Sequence, residues 1–148
     1  MTAAVTSSWR NDSRWQDRLA ADREAIDKRL STEQKEVLDG VAEAVGAGDP
    51  SDVLELDFLV VFGSYARGDH RPGSDLDVYF EAANLREPFN RVDADRQYQV
   101  FGMPRGALID ALRAGREFGR GVVRDALVVH DEGRLREILI ADDEDAFE

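Results

Sequence analysis

The chain contains no cysteine, which excludes disulfides and thiolate-bound metal. It has no apolar run of bilayer-spanning length, and its N-terminal residues are polar rather than signal-like. A soluble cytoplasmic protein is therefore expected, with no membrane partner. Lysine is scarce: Lys28 and Lys35 stand against seventeen arginines, and aspartate exceeds glutamate. That skew suits a high-salt cytoplasm or a high-GC genome equally well. Positive charge is in deficit overall, with a formal net charge of −12. Both ends of the chain are acidic and the middle is near neutral. Duplex nucleic acid rewards clustered cations, so nonspecific duplex binding is not expected. A nucleoside triphosphate that carries its own metal remains compatible with this balance. At 148 residues the chain is one domain by prior, with length enough for a real core.

What is present begins with helices. Trp15, Leu19, Ile26 and Leu30 fall near helical spacing, which predicts a helix from about Trp9 to Leu30. Ser31-Thr32-Glu33-Gln34 has the form of a capping signal, and Val37, Leu38, Val41 and Val45 make one face of the helix after it. The segment Gly46-Ala47-Gly48-Asp49-Pro50-Ser51 breaks the chain. Asp57 to Phe62 is dense in β-branched and aromatic residues and stops at Gly63, the pattern of a buried strand. Glu81 to Asp95 is polar and holds Pro88, which predicts a loop or short helix. Gln97 to Phe101 reads as a strand, and helices follow over about 104–114 and 117–125. A short strand at Leu127 to His130 and an amphipathic turn or two over 134–140 complete the pattern. The fold class expected is α/β (α+β), a small mixed sheet with helices mainly on one face.

The chemistry concentrates in Val60-Val61-Phe62-Gly63-Ser64-Tyr65-Ala66-Arg67-Gly68 and Gly73-Ser74-Asp75-Leu76-Asp77-Val78-Tyr79-Phe80. Gly63 can adopt backbone angles closed to other residues and lets the chain approach a ligand. Ser64 can cap a helical turn and offer a hydroxyl to a phosphate oxygen. A helix N-terminus there is a ready anion site, and Arg67 can support the loop or meet a triphosphate. Asp75 and Asp77 lie two apart on a strand, so both project from one face. Paired carboxylates repel unless a cation lies between them, and hard oxygen ligands beside phosphates favour Mg²⁺. Leu76, Val78 and Phe80 then face the core. Taken singly, a Gly-Ser pair is an ordinary turn and an Asp-x-Asp pair a solvated one; the specificity lies in both, each joined to a strand.

Gly-Ser, ten residues (Tyr65 to Ser74), then Asp-x-Asp resembles the signature of the nucleotidyltransferase superfamily typified by DNA polymerase beta. The resemblance spans roughly Leu56 to His130 and is strongest to the minimal nucleotidyltransferases. Many of these are antitoxin partners of helical HEPN toxins, and transfer AMP from ATP to a tyrosine of the toxin. It implies an enzyme with Gly63, Ser64 and Arg67 on the nucleotide, Asp75 and Asp77 on Mg²⁺, and ATP as donor. It divides the chain into an N-terminal helical extension (1–50), a nucleotidyltransferase domain (51–141) and an acidic tail (142–148). The length leaves no room for the acceptor-binding domains of larger relatives, so a partner or a second copy of the chain is expected to complete that surface. The superfamily also implies a third carboxylate on the next strand, as metal ligand and base. Here that strand carries Gln97 and Gln99, and an amide can neither supply negative charge nor take a proton. Asp95, which shares their parity with Asp93, fills the role if the strand begins earlier. If nothing does, the alternative function is a catalytically weakened module that neutralises a partner by occlusion. Tyr65 is read as packing, His70 and Arg71 as solvated loop, His130 as a strand end, and Trp9 and Trp15 as a helix face docked on this domain or on a partner.

Overall fold

Leu56–Phe62 forms β1, and its alternation sorts side chains to two faces, with Phe58 and Val60 on one and Leu59 and Val61 on the other. A computed structural model of the chain describes residues 13–46 and 55–145. Before β1 come α1 (Ser13–Arg29) and α2 (Thr32–Gly46). After it come α3 (Ser64–Arg67), β2 (Leu76–Ala82), β3 (Phe89–Asp93) and β4 (Tyr98–Pro104). The chain continues through α4 (Ala107–Arg113), α5 (Glu117–Asp125), β5 (Leu127–Asp131) and α6 (Arg134–Asp145). The strands form one mixed sheet in the order β3-β4-β2-β1-β5. β1 runs antiparallel to β2 and β5, β2 parallel to β4, and β3 antiparallel to β4. The mixed α+β class is the one expected. No helix of the described residues is long and apolar enough to cross a membrane.

The helices, expected mainly on one face, contribute to apolar clusters on both. Ile26, Leu30, Leu38 and Val41 pack with Leu59, Val61, Leu76, Val78 and Phe80 on one side. Trp15, Leu108, Val122, Leu135 and Ile138 pack with Phe58, Val60 and Tyr79 on the other. α1 reaches both because it runs along the β5 edge. There the Arg18 guanidinium donates to the Ala126 carbonyl (2.9 Å), and the Val128 N–H donates to the Asp22 carboxylate (2.9 Å). Burial raises the Asp22 pKa, while the Val128 N–H and Arg18 pull it back. Trp9, the break over 47–51 and the tail over 146–148 lie outside the described residues, as does the Val45 side chain.

Ser31 and Gln34 form the reciprocal cap expected: the Ser31 N–H donates to Gln34 Oε1 (3.0 Å) and the Gln34 N–H to Ser31 Oγ (3.1 Å). Two expectations fail in the segment read as loop. β2 continues to Ala82, and β3 occupies Phe89–Asp93. β3 is an edge strand whose side chains are mostly in water, so it has no apolar run to announce it, and pairing with β4 defines it. Glu81, 1% exposed, accepts from the Gly106 N–H (2.9 Å), the Leu108 N–H (2.7 Å) and the Tyr79 hydroxyl (2.8 Å). Its carboxylate supplies the start of α4 with acceptors that no local side chain provides. Asp57, also buried, takes a two-pronged bond from Arg105 (2.7 and 2.8 Å) and so ties the loop before α4 to β1.

The parallel β2–β4 pair carries a steric lock. Gly102 is the register partner of Phe80, and a Cβ placed on it overlaps the Phe80 ring. Gly102→Ala is expected to destabilise the protein by about 1–3 kcal/mol, read from the urea midpoint. Gly121→Ala, in α5, where a Cβ would meet the Arg124 side chain at an ordinary 3.7 Å, is expected to stabilise by about 0.5–1 kcal/mol. Equal effects at the two positions contradict the lock.

Candidate active site

β1 ends at Phe62, and the chain turns through Gly63 (φ 78°, ψ −152°) into the single turn of α3. These angles suit glycine, and space demands it as well: a Cβ on Gly63 would lie 2.5 Å from Asp77 Oδ2. The turn and the Asp77 carboxylate therefore meet, as expected from the motif. Ser64 is the first residue of α3 rather than its cap, and no side chain caps that helix. The opening N–H groups of a helix have no partner within it. At the other end of the turn, Arg29 from α1 donates to the Tyr65 (3.1 Å) and Ala66 (2.7 Å) carbonyls. Nothing in the local sequence points to Arg29, whose partners are more than thirty positions away; the contact is visible only once α1 docks.

β2 then places the acidic pair. The Ser74 hydroxyl accepts from the Arg71 N–H (2.8 Å) and the Ser74 N–H donates to the Arg71 carbonyl (2.9 Å), closing the turn before Asp75. Asp75 is exposed, Asp77 half-buried, and Leu76, Val78 and Phe80 point into the core as expected. Burial pushes the Asp77 pKa up to about 6, the Asp75 charge adds to this, and Arg67 opposes it. Arg67 is thus near the pair, but its guanidinium is held by Asp69 (3.1 Å) and Asp125 (2.9 Å). It braces α3 against the end of α5.

The other candidates separate. Gln99 is the register neighbour of Asp77 on β4, so it occupies the place beside the acidic pair. The Gln97 carbonyl accepts from the Leu76 N–H (2.8 Å), which aligns the starts of β2 and β4. Asp95 was expected beside Asp77 only if β4 began earlier. β4 begins at Tyr98, and Asp95 is exposed in the turn over 94–97, because the hairpin from β3 needs those residues to reverse the chain. Asp93 ends β3 and accepts from the Arg96 N–H (3.1 Å), which stabilises the same turn. Among the described residues no group of three or more His, Cys, Asp or Glu converges on a metal position. Asp75 and Asp77 alone offer the donor set, two adjacent hard carboxylates in mutual repulsion. That chemistry fits a hard divalent cation whose remaining ligands come from phosphate and water. Tyr65 is buried, as read. His70 is not simply solvated: its ring stacks on Tyr65 (centroids 4.1 Å apart), with Nδ1 buried and unbonded. His130 is the penultimate residue of β5, near the strand end as read, and pairs with Glu132 (2.9 Å).

Beyond the acidic pair on the same face, Phe118 stands over Phe62, Tyr79 and Phe101, at centroid distances of 5.6, 6.0 and 5.4 Å. A cleft of about 650 Å³ opens beside it. Sequence spacing did not single out this aromatic group, since its members come from four different elements.

Residues 51–103 match the family model for a nucleotidyltransferase domain. No curated protein matches the chain. The family match covers 53 of the 148 residues, and the mixed α+β fold is consistent with it.

Because the folded state holds the Asp77 proton to about pH 6 while the unfolded chain releases it near the usual carboxylate value, the native state binds more protons between those limits. Stability is therefore lost as pH rises through that window. In chelator, Asp77→Asn is expected to raise stability at pH 7.5 by about 1–2 kcal/mol, allowing for partial solvent screening, and to change it little near pH 4. Thermal melts at the two pH values decide this; an equal shift at both refutes the account.

Proposed function

We propose that the chain is a Mg²⁺-dependent nucleotidyltransferase that moves AMP from ATP to a hydroxyl of a partner protein, as the antitoxin of a toxin–antitoxin pair with a helical HEPN-type toxin. The observation that carries the transfer chemistry is the approach of Asp77 to the Gly63 backbone, which brings a phosphate-binding turn and an acidic pair to one place. The Gly63–Ser64 turn would receive the triphosphate, and Asp75 and Asp77 would hold Mg²⁺, which when bound neutralises charge on the phosphates. Gly63 keeps the backbone bare so that phosphate can approach. Arg67, anchored by Asp69 and Asp125, holds α3 in place and adds positive potential. The small size of the described domain and its one-sided charge deficit favour an acceptor brought by another protein over a polynucleotide. A cytoplasmic location belongs to this reading.

Gln99 favours a second reading. Its amide occupies the place beside Asp77 where a base would be useful, and it cannot accept a proton from an acceptor hydroxyl. On that reading the fold binds nucleotide and neutralises its partner by occlusion.

The test uses α-labelled ATP, Mg²⁺ and the protein encoded by the neighbouring gene. Label is expected to appear on that protein, to vanish with chelator, and to be abolished by Asp77→Ala. Gln99→Asp is expected to raise the rate by about 100-fold, the low end of what a positioned base supplies. No label with either wild type or Gln99→Asp, together with neutralisation that survives Asp77→Ala, selects the occluding module instead.

A further inference from the structure

Arg29, at the end of α1, lies outside the segment that the family model matches, yet it completes the turn on which the candidate site is built. α3 is a single turn, and a lone turn fixes several backbone angles for few hydrogen bonds. Its carbonyls can be accounted for one by one. The Gly63 carbonyl accepts from the Arg67 N–H (3.0 Å), and the Ser64 carbonyl from the Gly68 (2.9 Å) and Asp69 (3.1 Å) N–H groups. Tyr65 and Ala66 are buried, and among the described residues no backbone N–H reaches their carbonyls. Arg29 Nη1 donates to both, at 3.1 and 2.7 Å. Gly68 makes room for it: a Cβ there would lie 3.1 Å from Arg29 Cζ.

The same helix is anchored at a second place. Arg18, Asp22 and Arg29 stand at i, i+4 and i+11, which puts them on one stripe of α1. The first two hold the β5 edge, through the Ala126 carbonyl and the Val128 N–H. Asp22 and Arg29 are about 10 Å apart along the axis at the helical rise. α1 is thus a strut from the edge strand to α3. Its Ile26, and Leu30 just after it, pack in the apolar cluster that contains Tyr65 and Ala66. A shift of α1 along β5 withdraws Arg29 and leaves two carbonyls of buried residues without a donor, a costly state. The turn must then move toward other partners, and the Gly63–Ser64 backbone moves with it.

Resting on the transferase reading above, we propose that Arg29 is a positioning residue for nucleotide transfer: it fixes α3, and through α3 the backbone that receives the triphosphate. It acts through the Tyr65 and Ala66 carbonyls and not by contact with the phosphates. The seating of α1 on β5 and the binding of a triphosphate at the turn are therefore coupled. Linkage makes that coupling reciprocal, so a ligand at the turn tightens α1 by the factor that α1 tightens the ligand.

Calorimetry of the full-length chain with ATP and with inorganic tripolyphosphate, each in Mg²⁺, reads the effect. Arg29→Met is expected to raise both Kd values by about tenfold, the loss of hydrogen bonds from a charged donor, with the binding stoichiometry unchanged. Arg29→Lys, which keeps a donor and the charge, is expected to stay within about threefold of wild type. The ratio of Arg29→Met to wild type is expected to persist in about 0.5 M salt, because a lost alignment, unlike a lost charge beside phosphate, is not screened. A further measurement needs no variant: on wild type, tripolyphosphate with Mg²⁺ is expected to slow amide exchange in the last turn of α1 by about tenfold relative to α2. The proposal is overturned if Arg29→Met lowers only the stoichiometry or the melting temperature, which is the mark of a purely structural contact. It is also overturned if Arg29→Lys loses as much as Arg29→Met, if the ratio falls to one in salt, or if α1 exchange ignores the ligand. Failure of wild type to bind either ligand with Mg²⁺ is a different result: it removes the transferase reading itself, and with it the reaction that Arg29 serves.

Discussion

Everything at the candidate site depends on one close approach, the Asp77 carboxylate against the bare backbone of Gly63. Two strands must deliver it together. β1 has to stop and turn where β2 begins its exposed end, and the Phe62–Asp77 register pair fixes that meeting. Burial and the neighbouring Asp75 make the carboxylate reluctant to ionise. The arrangement is thus electrostatically strained, with the Arg67 charge only partly offsetting it. Folding free energy is retained elsewhere, in the two apolar clusters that sandwich the sheet.

Much of this was legible in the sequence because local pattern and tertiary role agree. The β-branched run to Phe62, the Ser31–Gln34 cap and the α5 and β5 boundaries all report interactions within a few residues. The Gly-Ser and Asp-x-Asp pairs, read with the family resemblance, pointed to the place where the Gly63 turn and the Asp77 carboxylate meet. What was hidden depends on partners far along the chain. β3 is defined by its neighbour β4 and not by its own side chains. Glu81 looked like the start of a polar loop, yet its carboxylate is buried to hold the first turn of α4. Arg29 reaches α3 across thirty-six positions, and the four rings around Phe118 come from four elements. Asp95 shows the converse: alternation put it on the right face of an imagined longer strand, but the hairpin turn claims it.

The contrast between the two sides of Asp77 shapes the chemistry available. Toward β1 lie a glycine, a serine and a helical turn, all suited to anions. Toward β4 lie a glutamine and then aromatic carbon.

Gly102 and Phe80 give this division its permanence. With the ring seated in the space a side chain would fill, β2 and β4 mesh like a key and its ward. Sliding one strand by a single residue would turn every side chain of that strand to the opposite face, exchanging Gln99 for an apolar neighbour and inverting the aromatic floor. The spacing between the acidic pair and the rings is therefore a fixed ruler of the molecule, set at a position that touches neither.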